Sequence, residues 1–218
     1  MTMSETSNAL RPARSRINQE GDVMSAVERP LYERDPDAYA AHIAEGNATL
    51  PRKLVSADVL LLDQHGQILL VDPNYKPGWD LPGGNIQANE PPDLGAQREL
   101  REELGLDLPT NQLHLLCVDW VSPHSRWDDW LKFIFGGIEL TESQISSIRI
   151  GDNELTAYEF CSPTQVQRRL SPALWKRVDA ALHARHTGHV AYLHDGLPPH
   201  QTPRTPHAMC EHGRETAE

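Results

Sequence analysis

Residues 84–106 read GNIQANEPPDLGAQRELREELGL. The pattern predicts a helix over residues 91–104, opened by two prolines and stopped by Gly105. At about 100° per residue, Glu99, Glu102 and Glu103 fall within roughly a 100° arc of that helix. Ala96, Leu100 and Leu104 form the adjoining apolar stripe, suited to docking on a sheet. Three carboxylates at i, i+3 and i+4 repel one another unless something positive binds them. Oxygen-only ligands of high charge density select hard cations such as Mg²⁺, with Mn²⁺ the alternative. Arg98 stands four residues before Glu102 and can hold its orientation. Gly83 and Gly84 let the backbone approach an ion or a phosphate closely. Taken alone, RELREEL is ordinary composition for a solvated, salt-bridged helix face. Gly84, Glu90 and Gly105 at fixed offsets around it argue for the functional reading.

Outward from this stretch, residues 54–62 read as a strand, 63–66 as a turn and 67–72 as the return strand. A loop with two prolines and a glycine leads to Leu81-Pro82-Gly83-Gly84. Further strands are expected at 113–121, 130–140 and 155–161, with helices at 163–170 and 172–186 and a short strand at 190–193. Strands partly adjacent and partly alternating with helices predict an α/β fold, a mixed β-sheet between helix layers. Residues 1–52 are expected to form a polar N-terminal arm carrying one short helix, capped by Asp35, begun at Pro36 and stopped at Gly46. Residues 53–196 form the core domain. The Pro-, His- and Thr-rich residues 197–218 are expected to be a disordered tail.

From Gly84, five residues pass before Glu90, then seven before Arg98-Glu99-Leu100-Arg101-Glu102-Glu103-Leu104-Gly105-Leu106. This resembles the Nudix box, the signature of the Nudix hydrolase family, at all nine of its specified positions. The resemblance implies a Nudix-type α/β/α sandwich and a Mg²⁺-dependent hydrolase that cleaves a diphosphate linkage in a nucleoside diphosphate derivative, using water activated by the metal. It implies Glu99, Glu102 and Glu103 as metal ligands and the Gly84 carbonyl as a further oxygen. Glu90 and Arg98 would support these groups, and Glu99 is one choice of base. Many relatives add a carboxylate from outside the box; Glu154 is the preferred match here, with Asp152, Asp128 and Asp129 as rivals.

Substrate contacts are harder to read. Trp79 is expected to stack on a base and Arg126 to meet phosphate. Tyr75, Trp120, Trp127 and His124 are further candidates, and all read equally well as rim or core residues. Pro123 stands seventeen residues past Leu106. Some ADP-ribose pyrophosphatases of the family carry a proline close to that offset, which tilts the expected substrate toward ADP-ribose or a nucleotide sugar. Two other classes stay open. One is a diphosphate isomerase on the same fold, for which Cys117 would be the pocket thiol. The other is a non-enzymatic ligand sensor.

The chain has 218 residues, enough for one domain with appendages. Its net charge of -11, from 20 Lys and Arg against 31 Asp and Glu, repels nucleic-acid backbones, so general DNA or RNA binding is not expected. No apolar run nears the roughly 18 residues needed to span a bilayer. The first 25 residues lack the apolar segment of a secretory signal. Cys117, Cys161 and Cys210 fit neither a disulfide framework nor a zinc pattern, so a reducing cytoplasm is expected. The expected partner is a small molecule; a homodimer is left open.

Overall fold

The computed structural model describes residues 29–151 and 154–202 and divides the chain into two units, residues 1–52 and 53–218. Asp152, which the sequence offered as a metal ligand, lies outside the described residues, as do 203–218 of the expected tail.

The first unit holds α1 (Leu31–Arg34) and α2 (Pro36–Thr49). Asp35 caps α2 by accepting from Ala38 N at 2.9 Å. The helix does not stop at Gly46 as expected. A glycine inside an exposed helix costs only about 1 kcal/mol, whereas Pro51 forbids helical backbone at Leu50. Leu50 is accordingly extended, and its N–H closes on Gly46 O at 2.9 Å.

The second unit contains β1 (Leu54–Leu62), β2 (Ile68–Pro73), β3 (Gly83–Asn85), α3 (Pro92–Leu104), β4 (His114–Val121), β5 (Trp130–Glu139), α4 (Glu142–Ser147), β6 (Leu155–Cys161), α5 (Pro163–Arg169), α6 (Pro172–Thr187) and β7 (Ala191–His194). The strands form one sheet in the order β6-β2-β1-β5-β4-β7, with β3 added against β1. The β1–β5 and β4–β7 pairs are parallel and the others antiparallel, so the sheet is mixed, as expected. Besides α1 and a 3-10 turn at Thr110–Gln112, two short elements of the sheet domain were not anticipated. One is β3; the other is α4, whose capping box runs from Thr141 to Gln144.

Side chains alternate across β1 and build two cores. Ala57, Val59 and Leu61 pack with Ala96, Leu100 and Leu104 of α3. Leu60 and Leu62 pack with Ile134, with Val166 of α5 and with Val178 and Ala181 of α6. Helices cover both faces, which gives the α/β/α sandwich and explains why β1 reads as a nearly continuous apolar run. Ser56 and Asp58 break that run, on the face toward α6. On β4, the fully buried Asp119 is paired with Arg177 of α6 and accepts from Gly196 N at 3.1 Å. Among the described residues no helix is long and apolar enough to cross a membrane.

Candidate active site

The box folds as a loop that hands its carboxylates to a helix. A tight turn at residues 87–90 is closed by Glu90 N to Gln87 O at 3.1 Å, and Gln87 N donates to Glu90 Oε2 at 2.8 Å. The two prolines start α3, and Gly105 ends it in the left-handed conformation, with φ of 67°. Close backbone approach demands a glycine at Gly83, where φ is 142° and a Cβ would meet Ala57 O at 2.3 Å, and side chains crowd two further glycines. A Cβ at Gly95 would meet Ile86 Cδ1 at 2.3 Å and Glu90 Oε2 at 3.0 Å. A Cβ at Gly84 would sit 2.6 Å from the Glu99 carboxylate. Side chains there would force Ile86 and the Glu99 carboxylate to move aside.

Arg98 is the hub. It binds Glu90 through both carboxylate oxygens, Nε to Oε1 at 2.9 Å and an Nη to Oε2 at 3.0 Å. It donates to Glu99 at 2.7 Å, to Glu102 at 2.9 Å and to Asn85 O at 3.0 Å. Glu90 thus acts on Glu99 and Glu102 through Arg98. Hydrogen bonds from Arg98 hold the Glu90 carboxyl below its ordinary range, and the same bond raises the guanidinium's own pKa further. Burial pushes Glu99 the other way, above the usual carboxylate range, with Arg98 opposing. Glu103 is buried, 5% exposed, and accepts from Gly83 N at 2.8 Å.

Two pockets meet at β3. The smaller, of about 470 Å³, is lined by Glu99, Glu102, Glu154, Arg98 and Gln87; the larger, of about 830 Å³, takes in Glu103. Tyr75, Gly83, Gly84 and Asn85 line both. Glu154 reaches the smaller pocket because its carbonyl accepts from Asn74 N at 2.8 Å just before β6 begins.

Its rivals are placed elsewhere. Asp129 is bound by Lys53 at 2.5 Å and by Trp120 Nε1 at 2.8 Å, and the Lys53 hydrogen bond lowers its pKa. Asp128 lines neither pocket. Nor do Trp79 and Arg126, the two expected substrate contacts. Trp79 packs on the α5–α6 core under the Arg169 guanidinium, 4.7 Å from its ring centre, and Arg126 is exposed on its loop. Tyr75, His124 and Trp127 do line the larger cleft.

So do Ser56, Asp58, Trp130 and Lys132, which sequence reasoning missed. A signal was available. Charged residues amid strands buried on both faces need a reason to be there. Cys117 lines neither pocket. It is fully buried in the α6-side core, where burial pushes its thiol up to about 12.

A hard cation fits this site in donor chemistry, all oxygen and anionic, and in the room that Gly84 leaves. Among the described residues no three metal-ligating side chains yet converge on one point. Glu99 and Glu102 are turned to Arg98 and Glu103 to Gly83 N, donors with which a cation would compete.

Comparison with known proteins agrees with this anatomy. Residues 52–182 match the NUDIX domain. The chain is 33% identical over 105 residues to the 8-oxo-dGTP diphosphatase of Proteus vulgaris, spanning 46% of this chain and 92% of that one. It is 45% identical over 49 residues to a putative 8-oxo-dGTP diphosphatase of Bacillus subtilis (strain 168), 22% of this chain and a third (33%) of that one. Among solved structures, a UDP-X diphosphatase aligns with a TM-score of 0.54 at 19% identity, covering 72% of this chain and 74% of that one. The NUDIX domain of Shewanella oneidensis NrtR complexed with ADP ribose aligns with a TM-score of 0.51 at 18% identity, covering 66% and 96%. At those identities the structures speak for the fold alone. Fold, box and relatives together define a pyrophosphohydrolase, an enzyme of phosphoric anhydride bonds. The chain belongs to the Nudix family.

Proposed function

We propose that the chain hydrolyses a diphosphate linkage in a nucleoside diphosphate derivative and depends on Mg²⁺, with Mn²⁺ as a substitute. The observation that carries this reading is the junction of the two pockets. Glu99, Glu102 and Glu154 line one, an aromatic-walled cleft sized for a nucleoside forms the other, and Gly83, Gly84 and Asn85 lie between them. A diphosphate placed across β3 has its phosphorus atoms at the carboxylates and its organic end in the cleft.

Glu99, Glu102, Glu103, Glu154 and the Gly84 carbonyl are the groups we assign to hold the cation. When bound, it neutralises the diphosphate oxygens and lowers the pKa of the attacking water. Arg98, fixed by Glu90, sets the carboxylates' positions. Glu99 is our choice for the proton acceptor, as a carboxylate lining the pocket where the water would attack. Neither serine nor cysteine is among the residues lining the smaller pocket, so direct attack by water on phosphorus is the expected route. We place the enzyme in the cytoplasm, where free thiols such as Cys117 and Cys161 stay reduced.

The test is a panel of nucleoside triphosphates, nucleotide sugars, dinucleotides and ADP-ribose, each with Mg²⁺ and with Mn²⁺. Release of a phosphate product from at least one is expected, with label from ¹⁸O-water on a phosphate. A panel with no phosphate product, or label on a sugar carbon, would sink the proposal.

A further inference from the structure

The sheet face toward α5 and α6 is apolar along Leu62, Leu60 and Ile134 and then changes character. The next residues on that face are Asp58 and Ser56 on β1, and Lys132 and Trp130 on β5, by the two-residue period of a strand. All four line the larger cleft. The parallel register sets Ser56 opposite Lys132. Lys132 Nζ lies 3.4 Å from Ser56 Oγ, as donor, and 4.1 Å from the centre of a Trp130 ring.

Two polar groups on this floor make no side-chain hydrogen bond among the described residues, although the Lys132 charge lies near one of them. Asp58 is only 7% exposed, yet no donor reaches its carboxylate. Trp130 Nε1 is buried and makes no hydrogen bond. A buried polar group without a hydrogen bond is costly to a folded protein, more so when charged, so one that lines a cleft marks where a ligand's polar atoms belong.

We propose that Asp58 and Lys132 form a base-reading site for a guanine-type edge, Asp58 accepting from ring N1–H and the exocyclic amine while Lys132 donates to the O6 carbonyl. This rests on the nucleotide reading of the cleft given above. A carboxylate has two oxygens side by side and takes two parallel N–H donors best. Among the common bases, guanine alone presents two adjacent N–H donors with a carbonyl next to them. Adenine sets a bare ring nitrogen against the carboxylate, and hypoxanthine offers one N–H where guanine offers two. Burial raises the Asp58 pKa to about 6, with the Lys132 charge opposing, so the carboxylate is mostly ionised at pH 7 and ready to accept. Tyr75, Trp127 and Trp130 supply aromatic surface for the ring.

The test compares GTP, ITP and ATP, which share the diphosphate and differ in the base edge, on the wild type and on Asp58→Asn and Lys132→Met. For the wild type kcat/KM should favour GTP over ITP by at least about tenfold, and ITP over ATP. Asp58→Asn should bring the GTP to ITP ratio near one. Lys132→Met should erase the advantage of ITP over ATP. The wild-type ratios need no variant to fold. Calorimetric Kd values for GDP and IDP read the base preference without turnover and should differ by the same factor. Equal affinity for GDP and IDP, or a ratio untouched by Asp58→Asn, would overturn the base-reading site. Failure to hydrolyse any nucleotide alongside tighter GDP binding would instead overturn the hydrolase reading and leave this site standing.

Discussion

The two pockets that meet at β3 are built in opposite ways. The carboxylate pocket takes most of its lining from residues 83–102, one turn and one helix. The larger cleft draws on each of β1 to β6, on α3 and α6, and on the loops around residues 75, 124 and 195. A pocket made by one local segment inherits its geometry from helix periodicity and a few glycines. A pocket made by many segments depends on strand register, and each wall is free to change without the others. The division suits an enzyme whose bond chemistry stays fixed while its organic ligand varies.

Glu103 tests that division most severely, since it sits on the box helix yet lines the larger cleft. Glu103→Gln keeps the volume and can still accept from Gly83 N. If Glu103 holds the cation, kcat falls by at least about a hundredfold, in line with what a catalytic metal supplies. The melting temperature in chelator holds or rises, because repulsion among the carboxylates is relieved. Wild-type kcat with a raised KM would assign Glu103 to the cleft instead.

Glu90→Gln weakens the bidentate grip on Arg98 without touching the pocket carboxylates. The expected loss is about 10-fold to 100-fold in activity or in metal affinity, the range for groups that orient ligands. It should be read as a higher Mg²⁺ concentration for half-maximal rate. An unchanged Mg²⁺ dependence would show that the carboxylates hold their places without the Glu90–Arg98 clamp.

On the cleft side, Asp58 has a folded pKa of about 6 against an ordinary value of 3.8. The folded state therefore binds the proton more tightly than the unfolded chain. Asp58's contribution to stability falls as pH rises from about 4 to about 6 and is flat beyond, by up to roughly 3 kcal/mol. Glu90 and Asp129 are shifted downward and act in the opposite sense. The difference between wild type and Asp58→Asn isolates the effect. The variant should gain relative stability across that window in denaturant melts, and parallel curves would refute the assignment.

The smallest effect concerns the end of the chain. A protein ending at Leu197 keeps the Gly196–Asp119 contact and the Leu197–His194 pairing. Its melting temperature and turnover should match the full chain, and a drop of many degrees would show that later residues dock.

The same contrast governs how much could be read in advance. The box could be read because its spacing is local: Gly84, Glu90, Arg98 and the three glutamates lie within one short strand, one turn and one helix. The strand at Leu54–Leu62 was equally plain, from its apolar run. Trp79 and Arg126 lie outside both pockets, since residue type says nothing about which side of a sheet or loop a side chain takes. Trp79 went to the core under Arg169. Asp58 and Lys132 come together only through the β1–β5 register, and those strands are separated by over 60 residues of intervening chain, from 63 to 129. Gly46 was overvalued as a helix stop because Pro51, a few residues on, decides the boundary.

Asp119 carries a consequence for how the domain is made. Its carboxylate is fully buried in the middle of β4, and both of its partners come from later chain, Arg177 on α6 and the Gly196 amide beyond β7. As a polypeptide leaves the ribosome, β1 to β6 emerge with that charge uncompensated, and a buried lone charge opposes closure. The opposite charge arrives only with Arg177 on α6, and the Gly196 amide completes the set from beyond β7. A chain that stops short of α6 would leave Asp119 without the cation it pairs with, so α6 and the residues up to Gly196 are needed to close the middle of the sheet.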